Sequence, residues 1–360
     1  MDDDFRAAAE RIEKNPLGRL MYGNRELFHS NLIAWFFDSL PIQADAVFRP
    51  LTVRGDGRPR KVHREAENLD LVFDWPDLAP LVVENKVFSL PDEGQLRRYS
   101  EISASWKSNA QLVLLSVSPP EFMAPGWRYW SYADLADRIE AALPSADSYE
   151  LETMRRYAQL ARDLDALLKL VSVRSMDEPV WMSERQLESI SSSQMRGSLI
   201  KARGRRVAEI ITREVPSLEQ AAGSGFTRNT PLVEALEYVF AYGMHMHAGW
   251  QLQGQQFRRV IVFHDETIQG RDLHSRNARE DVARSHPELF TFPPALHQRS
   301  GRKEFNHFAP GFVYQWAKAP DLTIAELIAS ARTVHGEIDA LRDASGLAPE
   351  RPKYAVRVAP

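Results

Sequence analysis

The 360-residue sequence contains no cysteine. Disulfides, zinc–thiolate sites and thiol nucleophiles are therefore excluded. It also lacks any run of about twenty apolar residues, so no membrane span is expected. There is no excess of one charge. The 45 Lys and Arg residues face 49 Asp and Glu, for a net charge of −4. That balance is not the strongly basic footprint of many nucleic-acid binders. The opening Met1-Asp2-Asp3-Asp4 lacks the basic and apolar regions of a secretory signal, which points to a cytoplasmic protein. No repeat and no low-complexity tract stands out. What remains is the composition of a globular protein, 44% hydrophobic, long enough for one large domain or two ordinary ones.

The informative stretch is Leu69–Tyr99. Two short apolar runs, Leu69–Phe73 and Leu81–Val87, flank the turn Asp74-Trp75-Pro76-Asp77-Leu78-Ala79-Pro80. Both runs read as buried strands. Side chains alternate faces along a strand, so Asp70 shares a face with Val72, and Glu84 points the same way as Lys86. If the runs pair as a hairpin, Asp70, Glu84 and Lys86 converge on one face of the sheet. Two carboxylates and an ammonium amid apolar strands are costly to bury unless they pair or bind a cation. Their oxygens are of the kind Mg²⁺ or Mn²⁺ prefers, and the Asn85 carbonyl offers another. Ser89-x-x-Asp92, with Pro91, is a capping pattern for a helix at 90–104. Gln95 and Tyr99 are four apart on that helix and share a face.

This order, Asp70, then Glu84-Asn85-Lys86 one strand later, then a helical Gln95, resembles the PD-(D/E)XK nuclease superfamily. One bacterial branch of it carries an early helix reading Glu-Leu-x-His-Ser before an apolar run. Glu26-Leu27-Phe28-His29-Ser30, followed by Leu32–Asp38, is similar. The resemblance covers residues 20–135, with Leu69 where the motif name has Pro. It implies an α/β, restriction-endonuclease-like core, a mixed central sheet flanked by helices. It further implies a Mg²⁺- or Mn²⁺-dependent endonuclease that hydrolyses phosphodiester bonds, on double-stranded DNA, in restriction or anti-phage defence. The implied catalytic residues are Asp70, Glu84, Lys86, Gln95 and Glu26. The implied metal ligands are Asp70, Glu84 and Asn85. His29, Glu65 and Tyr99 are candidates to support the site or touch substrate. A homodimer and partner proteins of a defence system are further expectations. A catalytically silent module that binds nucleic acid or a partner, and an RNA-directed nuclease, are the alternatives.

Elsewhere, Phe5–Lys14 reads as a helix ended by Asn15-Pro16, and Asn24 as the cap of a helix to Asp38. Val47–Val53 reads as a strand, Gly55-Asp56-Gly57 as a turn, and Val62–Phe73 as one long strand. Arg54, Arg58, Arg60, Lys61 and Arg64 crowd this segment, and Arg58, Arg60, Lys61 and Arg64 are candidates to grip phosphates. Gln111–Val117 reads as a strand, Trp127–Trp130 as an edge strand, and Ser131–Leu143 as a helix. This order suits an α/β sandwich. A nuclease-like domain over 1–175 and a C-terminal α+β domain over 185–350, for substrate recognition or oligomerisation, are expected.

In the second half, Leu151–Val171 and Ser198–Glu214 read as helices, and Ala221–Thr230 as a linker. Met246–Leu252 and Phe257–Phe263 read as a hairpin around Gly254-Gln255, with Phe312–Ala317 beside them and Asp321–Leu341 as a closing helix. Seven of the ten histidines fall between residues 245 and 307: His245, His247, His264, His274, His286, His297 and His307. Their spacing fits no zinc-ligand pattern. Trp250, Phe257, Phe290, Phe292, Phe305 and Phe308 are expected mostly in the core, with base stacking as the other use of such rings.

Overall fold

A computed structural model gives the fold. It describes residues 2–345 except 23–24, 52–58, 67, 77, 88–90, 107–108, 118, 121, 123, 217, 219–220, 228–229, 266, 269–270, 274, 297–298 and 309–310. The protein is mixed α/β and divides into two compact units. One comprises Met1–Ser172 and Ser183–Ala202, the other Val173–Met182 and Arg203–Pro360.

The first unit begins with four helices, α1 (Asp2–Lys14), α2 (Pro16–Met21), α3 (Arg25–Ser39) and α4 (Pro41–Phe48). Three strands follow, β1 (Lys61–Ala66), β2 (Leu69–Asp74) and β3 (Leu81–Lys86). Helix α5 (Glu93–Ala104), strands β4 (Gln111–Ser116) and β5 (Trp127–Ser131), and helices α6 (Tyr132–Ala142) and α7 (Tyr149–Val171) complete the run. The five strands form one sheet in the order β1-β2-β3-β4-β5. The first three are antiparallel meanders; β4 and β5 join parallel to β3.

The sheet has helices on both faces. Leu71 and Phe73 of β2 face α3 and α4, where the Phe37 and Phe73 ring centroids are 4.1 Å apart and Phe48 packs on both. Val72, Val82 and Leu112 face the other way and form a cluster with Tyr99 of α5. Local signals explain the helix starts. Asp92 caps α5 by accepting from the Gln95 N–H at 2.7 Å. Ser131 and Asp134 make a reciprocal capping box at α6, which satisfies two otherwise orphaned N–H groups.

Four readings of the sequence change here. Val47 and Phe48 are helical, not part of a strand over 47–53: Pro41 opens α4, and Ala44, Val47 and Phe48 bury one helical face. Residues 52–58, with the Gly55-Asp56-Gly57 turn, lie outside the described residues. Val62–Phe73 is not one strand but the β1–β2 hairpin, paired from Lys61↔Asp74 to Ala66↔Leu69. Asn68 takes φ 67° at the turn, a left-handed conformation asparagine tolerates well. At α5 the observed cap is Asp92; Ser89 lies outside the described residues, as does Asn24 before α3. Finally, the proposed linker 221–230 contains β6 (Gly223–Thr227).

Two helices, α8 (Glu184–Glu188) and α9 (Ser193–Glu214), connect the chain to the second unit's strands. These are β6, β7 (Thr230–Ala241), β8 (Met244–Gln253), β9 (Gln256–Phe263), the short β10 (Thr267–Ile268) and β11 (Arg271–Asp272), then β12 (Arg299–Ser300) and β13 (Phe312–Lys318). Helix α10 (Arg276–Ser285) precedes β12, and α11 (Ile324–Ser345) closes the described chain. The main sheet is antiparallel, in the order β12-β13-β9-β8-β7-β6. Val207 and Ile211 of α9 and Leu327, Ala331 and Val334 of α11 pack into one core with Val239, Met246 and Ile261 of the sheet. Trp250, Phe257, Phe290 and Phe305 belong to that core, Phe292 packs against it, and Phe308 is 60% exposed.

Candidate functional site

The β2–β3 ladder pairs Leu71 with Val83 and Phe73 with Leu81. One step further, this register sets Asp70 opposite Glu84. Side chains directly across an antiparallel pair lie on the same face. Lys86, two residues on, shares it. The structure thus brings Asp70, Glu84 and Lys86 together on the α5 side of the sheet, beyond the Val72–Val82–Tyr99 cluster.

Lys86 Nζ lies 2.8 Å from Glu84 Oε1, with the lysine side chain 12% exposed and the glutamate 1%. Glu84 Oε2 is buried and receives no N–H donor. Burial, first, and the Asp70 charge, second, push the Glu84 carboxyl up to about 7; Lys86 opposes them, and a hydrogen bond shared with Asp70 adds to the rise. Two carboxyls this close hold a proton between them or need a cation in its place. Asp70 is half-buried and forms the open side of the pair. Its Oδ2 accepts the Asn85 N–H at 2.7 Å.

Asn85 points to the opposite face, as the alternation requires. Its Nδ2 donates to Ser30 Oγ of α3 at 2.5 Å, and its Oδ1 accepts from the Tyr132 hydroxyl of α6 at 3.4 Å. Its side-chain carbonyl is therefore committed away from the Asp70–Glu84 pair, and only the main-chain carbonyl of Asn85 remains as a metal-ligand candidate. Gln95 stands in the first turn of α5 and donates from Nε2 to the Tyr99 hydroxyl at 2.8 Å, one turn from the ring that packs on Val72 and Val82.

Glu26 lies in α3, and its side chain is outside the described residues. His29 is fully enclosed. Its ring packs against Phe28, Tyr132 and Tyr157, and Nδ1 shares a hydrogen bond of 3.0 Å with the Tyr157 hydroxyl. Burial holds its pKa down at about 3, so it is a neutral interior imidazole that no substrate reaches. Glu65 sits at the register position beside Asp70 on β1, with φ 53°, and is exposed. It lines a groove of about 490 Å³ with Leu27 and Asn31 of α3 and Val62, His63 and Arg64 of β1.

The basic cluster divides. Arg58 lies outside the described residues. Lys61 and Arg64 are exposed, and Arg64 donates across the groove to Asn31. Arg60 does not join that surface. Its side chain is 4% exposed and makes a two-pronged ion pair with Asp45, itself 1% exposed. Its guanidinium also lies over the Phe37 and Trp75 rings, at 5.0 and 5.7 Å. Charge was visible in the sequence; the buried partner Asp45 was not. Arg60→Ala would remove both prongs of a buried ion pair from Asp45 and is expected to cost about 3 kcal/mol of stability, measured by urea unfolding. Arg60→Met combined with Asp45→Leu should recover most of that loss.

Among the described residues no group of three or more His, Asp or Glu side chains is arranged to hold a metal ion. In the second unit, His247 and His264 hydrogen-bond to each other, His245 to Tyr238 at 2.6 Å, and His307 to Glu280 at 2.9 Å. His286 stacks on Tyr242; His274 and His297 are outside the described residues. Among the described residues no helix is long and apolar enough to cross a membrane. Comparison with models of protein families, with curated proteins and with solved structures finds no match for this chain.

Proposed function

We propose that the chain is a metal-dependent nuclease with a PD-(D/E)XK-type core, cutting DNA, in the setting of restriction or anti-phage defence that the motif resemblance suggests. The observation that carries this reading is the Asp70–Glu84 carboxyl pair, with one buried Glu84 oxygen that no N–H reaches and Lys86 beside it. Three antiparallel strands followed by two parallel ones, with the pair on the second and third, support the fold half of the reading.

The donor set fits a hard divalent cation. Asp70 and Glu84 offer carboxylate oxygens, and the Asn85 main chain offers a carbonyl, which suits Mg²⁺ or Mn²⁺ with water and phosphate completing the shell. Such an ion, when bound, supplies Lewis-acid charge and acidifies water for attack on phosphorus. The protein's own groups do the rest. Lys86 is engaged in an ion pair, so it acts through its positive charge at the phosphate and not by removing a proton. Gln95, in the first turn of α5, positions polar groups at the same face.

The test is incubation of the full chain with supercoiled plasmid and Mg²⁺ or Mn²⁺, beside single-stranded RNA. Nicking of plasmid that EDTA stops is expected. RNA cleavage alone would move the substrate to RNA. Retarded gel mobility without cleavage of either would replace the enzyme with a binding module. Arg64→Ala, at the groove, is expected to weaken plasmid binding and lower the salt slope by about one phosphate, read from gel shifts over a salt series.

A further inference from the structure

We infer that Ser30 and Asn85 form a latch that positions the Asp70–Glu84 pair, so that the His29-Ser30 motif of α3 and the Glu84-Asn85-Lys86 motif of β3 are two halves of one device. The inference rests on the nuclease reading for its consequence in activity, but not for its geometry.

Asn85 ties α3 and α6 on one face of the sheet to Asp70 on the other. On one, its amide bridges Ser30 of α3 and Tyr132 of α6. Through its own backbone N–H it holds Asp70 Oδ2 at 2.7 Å. The residue is fully buried, as are Ser30 and Tyr132, so the two side-chain bonds form where water does not compete. An amide fixed on two sides fixes the rotation of the β3 backbone at residue 85. That rotation sets where Glu84 and Lys86, its two neighbours, aim on the other face. The next residue of α3 does the matching job: Asn31 accepts from Arg64 of β1. Consecutive residues of one helix thus grip the two strands that flank β2, the strand bearing Asp70. His29 stays neutral in the aromatic packing beside them, against Tyr132, and keeps that wall in place. Asn85 is a positioning residue in this account, and Ser30 acts through it.

The decisive variant is Ser30→Ala, because Asn85→Ala empties a fully buried side-chain position and risks unfolding. Three readouts are taken on the whole chain. Hydrogen exchange at the Asn85 amide, against Val83 in the same strand, reads the bond to Asp70 directly. Calorimetric titration with Mn²⁺ alone reads the carboxyl pair, and an expected loss of at least about tenfold in affinity matches what supporting-shell changes cause elsewhere. Plasmid nicking should lose kcat with KM unchanged. Ser30→Thr, which keeps the hydroxyl, should restore all three. If Ser30→Ala lowers the unfolding temperature yet leaves Asn85 exchange and Mn²⁺ affinity at their original values, the pair is held by other means and the inference falls. If the original protein neither cuts plasmid nor binds Mn²⁺, the nuclease reading falls, and selective loss of Asn85 protection still decides the latch.

Discussion

Lys86→Ala is expected to reduce Mg²⁺-dependent plasmid nicking by roughly 10²–10⁴-fold, the usual range for one positioned catalytic group, and Asp70→Ala by as much. Lys86 lies beside the carboxyl pair, 2.8 Å from Glu84 Oε1. Its removal takes away the one influence that lowers the Glu84 pKa by charge, so the pair holds its proton more tightly and gives it up less readily to a metal. Asp70 is the more open member of the pair and the acceptor of the Asn85 N–H. Circular dichroism on both variants separates lost chemistry from lost fold. Cutting that persists in both at the original rate would remove this face of the sheet from the reaction.

Glu84 makes stability and metal affinity depend on pH in opposite senses. In the unfolded chain its carboxyl ionises near its ordinary 4.5; in the fold, burial and Asp70 raise this to about 7. Between those values the folded state keeps a proton the unfolded state has released. Stability of the metal-free protein is therefore greatest below the lower value and declines as pH rises to the upper one. The displacement corresponds to about 3 kcal/mol, at about 1.4 kcal/mol per pH unit. Urea unfolding in EDTA across this window should show the decline, and Glu84→Gln should lack it. Mn²⁺ affinity should instead climb with pH and level off above about 7, because a ligand must lose its proton to bind. Identical pH trends in the original and Glu84→Gln proteins would sink the shared-proton account.

Much of the site was legible because strand geometry has period two. The spacing of Glu84 and Lys86, and the phase of Asp70 against Leu71 and Phe73, place all three on one face once β2 and β3 pair as they do. The same alternation sends Asn85 the other way. What a linear sequence hides is the partner. Arg60 carries the charge of a phosphate ligand but is spent on Asp45. His29 carries the chemistry of a site residue but is enclosed by Tyr132 and Tyr157. In the fold, β-branched and aromatic residues near Val47 suited a strand or a buried helix face equally, and Pro41 decided for the helix. The β1–β2 hairpin is hard to read from sequence because Asn68, with φ 67°, is a weak turn marker between the two strands.

The division of the chain bears on how it can be cut into fragments. Residues 183–202 belong to the first unit although they follow a segment of the second. Met195 and Leu199 are buried there, and Ser191 donates twice to Glu13 of α1. A clone stopped after the long helix α7, the natural place for a designer's scissors, would discard that piece, uncover its apolar seat and invite aggregation. An expressible N-terminal half has to run on at least through Ala202.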